Sequence, residues 1–177
     1  MIRERRIAIN RIAEEVRRVL AIDPNETKVE LEDIIEHLGG EIVYDVMSLD
    51  DAFVLKDSPN SFKIVVDKWG YDTRNRFSIA HELGHLFLHM QYLINDEVWN
   101  SIEVGKKFSR QVGRAYSEIE EDANEFAGAF LMPKEIFLKT VEELTKGGYC
   151  NTQEVAKVFG VSADCVNIRG RKLNVWE

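Results

Sequence analysis

The sequence predicts an α+β domain in which a small antiparallel sheet packs on helices. Three short runs rich in β-branched and aromatic residues lie between positions 41 and 67, separated by turn-forming residues. On both sides of them apolar residues recur at helical spacing. A third observation adds chemistry: the run His81-Glu82-Leu83-Gly84-His85 sits inside an apolar helical segment.

The bounds are those of a compact soluble protein. At 177 residues the chain is one domain, or a domain with a small appendage, and 45% hydrophobic residues suffice for a core. Acidic residues outnumber basic ones, 31 to 23, for a net charge of −8, which disfavours binding of nucleic acid or membrane by the surface as a whole. No apolar run approaches the roughly 18 residues of a membrane span, and the N-terminus lacks the apolar core of a signal peptide. Cys150 and Cys165 form neither a disulfide framework nor a C-x-x-C pair. They are expected to be reduced, partly buried thiols in a cytoplasmic protein.

Residues 2 to 20 read as an amphipathic helix with Ile9, Ile12, Ala13, Val16, Val19 and Leu20 on one face. Arg3, Arg5, Arg6, Arg11, Arg17 and Arg18 make it basic, but Glu4, Glu14 and Glu15 lie among them, so a solvated face is the preferred reading. After the break at Asp23-Pro24-Asn25, Thr27-x-x-Glu30 reads as a capping box. It opens a helix that turns Leu31, Ile34, Ile35 and Leu38 inward and ends at Gly39-Gly40. His37 on that helix is structural. Strands are expected from Glu41 to Val46, Ala52 to Leu55 and Phe62 to Asp67, with turns at Ser48, Asp50 and Asp51 and at Asp57-Ser58-Pro59-Asn60. They form an antiparallel meander with one free edge, to which an extended peptide could add.

Asp72 or Thr73 caps the next helix, which carries the motif. His81 and His85, four residues apart, share a helical face at about 6 Å and can grip one metal ion. Glu82 points beside that ion, placed to take a proton from a water activated there. Ile79, Ala80, Leu83, Leu86, Phe87 and Leu88 make the segment nearly all apolar, so the polar groups need buried partners. His89, about 12 Å along the axis from His81, is too far to share the ion, and the position of a metzincin third histidine holds Gln91. Residues 90 to 117 lack a clear period and read as a lid over the cleft; Tyr116 is a candidate for stabilising an oxyanion, but packing near a helix start is the preferred reading.

A carboxylate must supply the third ligand. Ile119, Ala123, Phe126, Ala127 and Phe130 define a buried stripe of a second helix, while Glu118, Glu121 and Glu125 fall on a solvated face. Glu120 and Asp122 flank the stripe. Asn124, one turn after Glu120, is placed to accept a hydrogen bond from a ligating imidazole, and this selects Glu120. Met132-Pro133 closes that helix. Ile136 to Lys146 form another helix that stops at Gly147-Gly148. Residues 154 to 166 then read as helix, glycine turn, serine cap and helix, a helix-turn-helix pattern. Its charges nearly balance and Gly170 stands where an apolar residue is expected, so a structural helix pair is preferred to a DNA reader.

Arg76-Phe77-Ser78-x-Ala80-His81-Glu82-Leu83-Gly84-His85, with Glu120-x-x-Ala123-Asn124-x-Phe126-Ala127 and Leu131-Met132-Pro133, resembles the ImmA/IrrE family of metallopeptidases. The resemblance implies a zincin-like, thermolysin-type fold over residues 1–135, with 136–177 as a C-terminal helical subdomain. It implies one Zn2+ per chain held by His81, His85 and Glu120, with Glu82 as catalytic base. Asn124 stands where thermolysin-type sites usually carry Asp. The implied activity is cleavage of a dedicated intracellular protein, commonly a helix-turn-helix transcriptional repressor. The alternative is a non-catalytic regulatory protein that keeps the metal and acts through protein or DNA contacts.

Overall fold

A computed structural model describes residues 1–46, 52–70, 72–109 and 118–176. The α+β class holds, with eight helices and a small mixed sheet among the described residues. α1 (Arg3–Val19) and α2 (Leu31–His37) precede β1 (Glu41–Asp45), β2 (Ala52–Ser58) and β3 (Ser61–Asp67). The motif helix α3 (Asp72–Leu88) is followed by α4 (Asp96–Ser101), β4 (Lys107–Ser109) and α5 (Glu118–Leu131). α6 (Lys134–Leu144), a β5–β6 hairpin (Thr145–Lys146, Tyr149–Cys150), α7 (Thr152–Phe159) and α8 (Ala163–Lys172) complete the chain.

The expected three-stranded antiparallel meander is corrected in two respects. The sheet has four strands in the order β1-β3-β2-β4, and β1 runs parallel to β3. Burial explains the order. β3 buries Phe62, Ile64, Val65 and Val66 and takes a central place, whereas β1 exposes Glu41 and Tyr44 and takes an edge. β2 is not an edge either: β4 covers it, pairing Lys107, Phe108 and Ser109 with Leu55, Val54 and Phe53. Residues 90 to 109 are therefore not irregular: α4 buries Trp99, and Lys56 Nζ donates to the carbonyls of Trp99 and Ile102. The turn at Ser48, Asp50 and Asp51 lies outside the described residues.

Local signals are honoured unevenly. Thr27 and Glu30 form no capping box; α2 starts at Leu31 with Glu30 as its N-cap and no side-chain cap bond. Asp72 is the first residue of α3, not a residue before it. Gly147 and Gly148, both at positive φ, form the tight turn of the β5–β6 hairpin, a backbone path glycine takes without strain. The C-terminal pair forms as read: Asn151 caps α7, Gly160 ends it in the left-handed region and Ser162 caps α8. Cys150 and Cys165 are free, half-buried thiols. No described helix is long and apolar enough to cross a membrane.

Two basic residues are in the core, and one of them, Arg17, was expected on a solvated face. Arg17 is only 5% exposed; its Nη1 donates to the Phe130 carbonyl and its Nη2 to that of Glu26. Arg169 of α8 is equally hidden and its Nε donates to the Met132 carbonyl. Pro133 stops α5, so its last carbonyls have no helical partners, and the two guanidiniums supply donors and favourable charge at that end. Val19, expected inward, is 69% exposed because α1 ends there.

Gly170 has a packing reason. A Cβ at this position would lie 2.1 Å from the Trp176 ring, which packs at a tilt on Phe137 and whose Nε1 donates to the Asn167 carbonyl. Gly170→Val is expected to expel Trp176, red-shift its fluorescence and destabilise the fold by about 1–3 kcal/mol. Urea denaturation followed by tryptophan emission and by circular dichroism checks both effects.

Candidate metal centre

α3 is buried on all sides at its centre: every residue from Ile79 to Phe87 is inaccessible. It lies between the sheet, where it crosses β2 and β3, and α5. Leu83 and Leu86 join the core, and the polar side chains turn towards α5. Gly84 makes the approach possible. A Cβ there would stand 3.0 Å from Ala123 Cα and 3.1 Å from Ala123 O.

Across this contact His81, His85 and Glu120 converge, the only group of three or more His, Cys, Asp or Glu able to share an ion among the described residues. His81 Nε2 and His85 Nε2 are 3.0 Å apart, and Glu120 places its carboxylate oxygens 3.3 Å from the first and 3.5 Å from the second. Zinc bonds of 2.0–2.2 Å in a tetrahedron separate neighbouring ligand atoms by roughly 3.3–3.6 Å. The donor set fits such an ion and, among the described residues, leaves a fourth position open.

The support of the ring nitrogens is as specific. His81 Nδ1 lies 3.0 Å from Asn124 Oδ1. An amide oxygen only accepts, so Nδ1 carries the proton and the Nε2 lone pair faces the cluster. His85 Nδ1 meets His89 Nδ1 at 3.0 Å, and Phe108 of β4 covers both rings, lying parallel to that of His89. Burial, then the neighbouring His85, lowers the His89 pKa to about 4, leaving it neutral at physiological pH. α3 ends just before His89. Gln91, in the left-handed region, donates its amide to the carbonyls of Phe87 and Leu88. Glu82 is buried beside His81. Tyr116 lies outside the described residues.

Asp122, the other acidic residue flanking the stripe, is turned to α1, where Arg5 donates to its Oδ2 from Nε at 3.1 Å and Nη2 at 2.6 Å. The reading of α5 needs correction at its edges. Ile119 is 41% exposed, whereas Glu125 is 1% exposed, accepts from Asn10 and Arg169 and forms an ion pair with Lys172. The helix is packed by α3 on one side and α1 on the other, so its buried arc is wider than one apolar stripe. Residue patterns did not disclose the partnership of Glu125 with Arg169, 44 positions away. Gly84 did leave a signal, since glycine in a helix interior needs a packing reason.

The sequence profile of the IrrE N-terminal-like domain, peptidase family M78, matches residues 51–170. The chain belongs to this family. Membership supports a metallopeptidase type of function for the cluster. Among solved structures, a Mycobacterium tuberculosis transcriptional regulator superposes with a TM-score of 0.56 at 20% identity. The match covers 96% of this chain and 47% of the regulator, so the chain spans about half of that protein's length, and the likeness is one of fold. No curated protein matches the sequence.

Removing the amide that orients His81 is expected to cost zinc affinity while leaving the ligands in place. Asn124→Ala should weaken zinc binding by about 10- to 100-fold, Glu120→Ala by at least as much, and Asp122→Ala little. Competition against a chromophoric chelator measures all three. Gly84→Ala should separate the two helices and lower stability by about 1–3 kcal/mol.

Proposed function

We propose that the protein is a zinc-dependent endopeptidase that cleaves a dedicated protein target, with His81, His85 and Glu120 as the metal ligands and Glu82 as the catalytic base. The convergence of two imidazoles and one carboxylate, with Glu82 next to the first histidine, carries this reading. Structural zinc sites are usually closed by four protein ligands; three ligands and an open position suit catalysis. Zinc held there would polarise the scissile carbonyl and acidify water.

The chain's own residues do the rest. Glu82 takes a proton from the attacking water as the oxygen adds to the carbonyl carbon. It returns that proton to the leaving nitrogen as the C–N bond breaks. Asn124 and His89 keep the two imidazoles from rotating away. β4 forms the sheet edge beside the site, with Phe108 against His85, so a substrate strand would add along β4 and place its scissile bond near the imidazoles.

A helix-turn-helix transcriptional repressor is the proposed target. The family resemblance supports it, and the likeness in fold to a transcriptional regulator is compatible with a partner of that kind. Direct DNA reading by α8 is disfavoured, because Arg169 is buried and Gly170 is packed under Trp176. The reducing cytoplasm is the proposed setting, in keeping with the two free thiols.

Glu82→Gln should retain zinc and lose cleavage, read by metal analysis and by gel assay of a helix-turn-helix repressor encoded beside the gene. The wild-type protein should cut that repressor at few sites and leave casein largely intact. Full activity of Glu82→Gln would sink the base assignment, and rapid casein digestion with the repressor untouched would sink the narrow specificity.

A further inference from the structure

Beneath α1, α5 and α8 lies a cavity of about 450 Å³, within the size range of small-molecule sites. Phe77, Met132 and Ile168 give it an apolar side, and Arg6, Arg169 and Lys172 a basic one. Two of the three cations, Arg169 and Lys172, share a single buried carboxylate. Glu125 forms an ion pair with Lys172 Nζ at 2.8 Å, and its Oε1 accepts from Arg169 Nη1 at 3.3 Å and from Asn10 Nδ2 at 2.6 Å. Glu121, which also borders the cavity, is paired with the α-amino group of Met1.

Positive charge is left over. Arg169 is 2% exposed, yet its Nη2 has no hydrogen-bond partner among the described residues. The Arg6 guanidinium likewise makes no hydrogen bond or ion pair among them, and it lies close enough to Arg169 to act on its charge. A buried, incompletely paired guanidinium beside a second cation is costly in a dry setting unless an anion relieves it.

Gly128 is an independent pointer. It sits inside α5 and borders the cavity, where glycine weakens a helix relative to alanine. Unlike Gly84, it has no packing reason: a Cβ would meet only Arg169 Cδ, at an ordinary 4.0 Å. What the missing side chain keeps is open volume.

We propose that this cavity binds a small organic anion, its carboxylate or phosphate head facing Arg6, Arg169 and Lys172 and its apolar body lying on Phe77, Met132 and Ile168. Asn124 forms part of the same wall, so an occupant sits against the residue that orients His81. The binding itself does not depend on the peptidase reading.

The test is calorimetric titration of the zinc-loaded 177-residue chain with benzoate and phenyl phosphate, and with benzyl alcohol as the uncharged counterpart. At least one anion should bind one to one and at least tenfold more tightly than the alcohol, the tighter of the two naming the headgroup. Gly128→Leu, which fills the cavity, should weaken that anion at least tenfold, and Arg6→Gln at least threefold. Circular dichroism confirms that each variant is folded, and Arg6→Gln stands alone if Gly128→Leu is not. Equal binding of the alcohol, or anion binding unchanged in the folded variants as expected for attachment to the zinc, overturns the proposal.

Discussion

The contact between Gly84 and Ala123 sets the distance between the two helices that carry the site. Backbone meets backbone there, so the separation is fixed by van der Waals radii and not by adjustable side chains. Glu120 and Asn124 lie one turn apart on α5, on either side of that contact in sequence, and reach the imidazoles of α3. A shift of the helices by the size of one methyl group would separate donors that now stand 3.0 to 3.5 Å apart.

A helix held at only one point can still slide or rotate, and α5 is held at its far end too. Arg17 from α1 and Arg169 from α8 donate to the carbonyls of Phe130 and Met132, where Pro133 ends the helical hydrogen bonding. Near its start, Arg5 holds Asp122. The N-terminal and C-terminal helices thus clamp the glutamate helix while α3 is held by the sheet. The amphipathic α1, whose basic residues suggest an outward role, does much of its work inward.

The sheet contributes a surface as well as a support. β4 follows the motif helix in sequence and returns to pair with β2, which brings Phe108 over His85 and His89. That aromatic ring covers the His85–His89 pair, and His89, neutral through burial, completes the support of the second imidazole as Asn124 completes that of the first.

Much of the site was legible in sequence because its spacing is helical. His81 and His85 had to share a face, and Glu120 and Asn124 had to lie a turn apart, whatever the rest of the chain did. The helix positions, the Met-Pro stop and the cap-turn-cap pattern of α7 and α8 are likewise local, set by backbone stereochemistry within a few residues. Strand order was not local. β1 pairs with β3 because burial favours the most apolar strand at the centre, a comparison no single strand encodes. The burial of Arg17, Glu125 and Arg169 was equally hidden, since each is stabilised by a partner far along the chain. Periodicity records which face of a helix is apolar. Only the folded structure decides which charged side chains find partners good enough to be buried beside it.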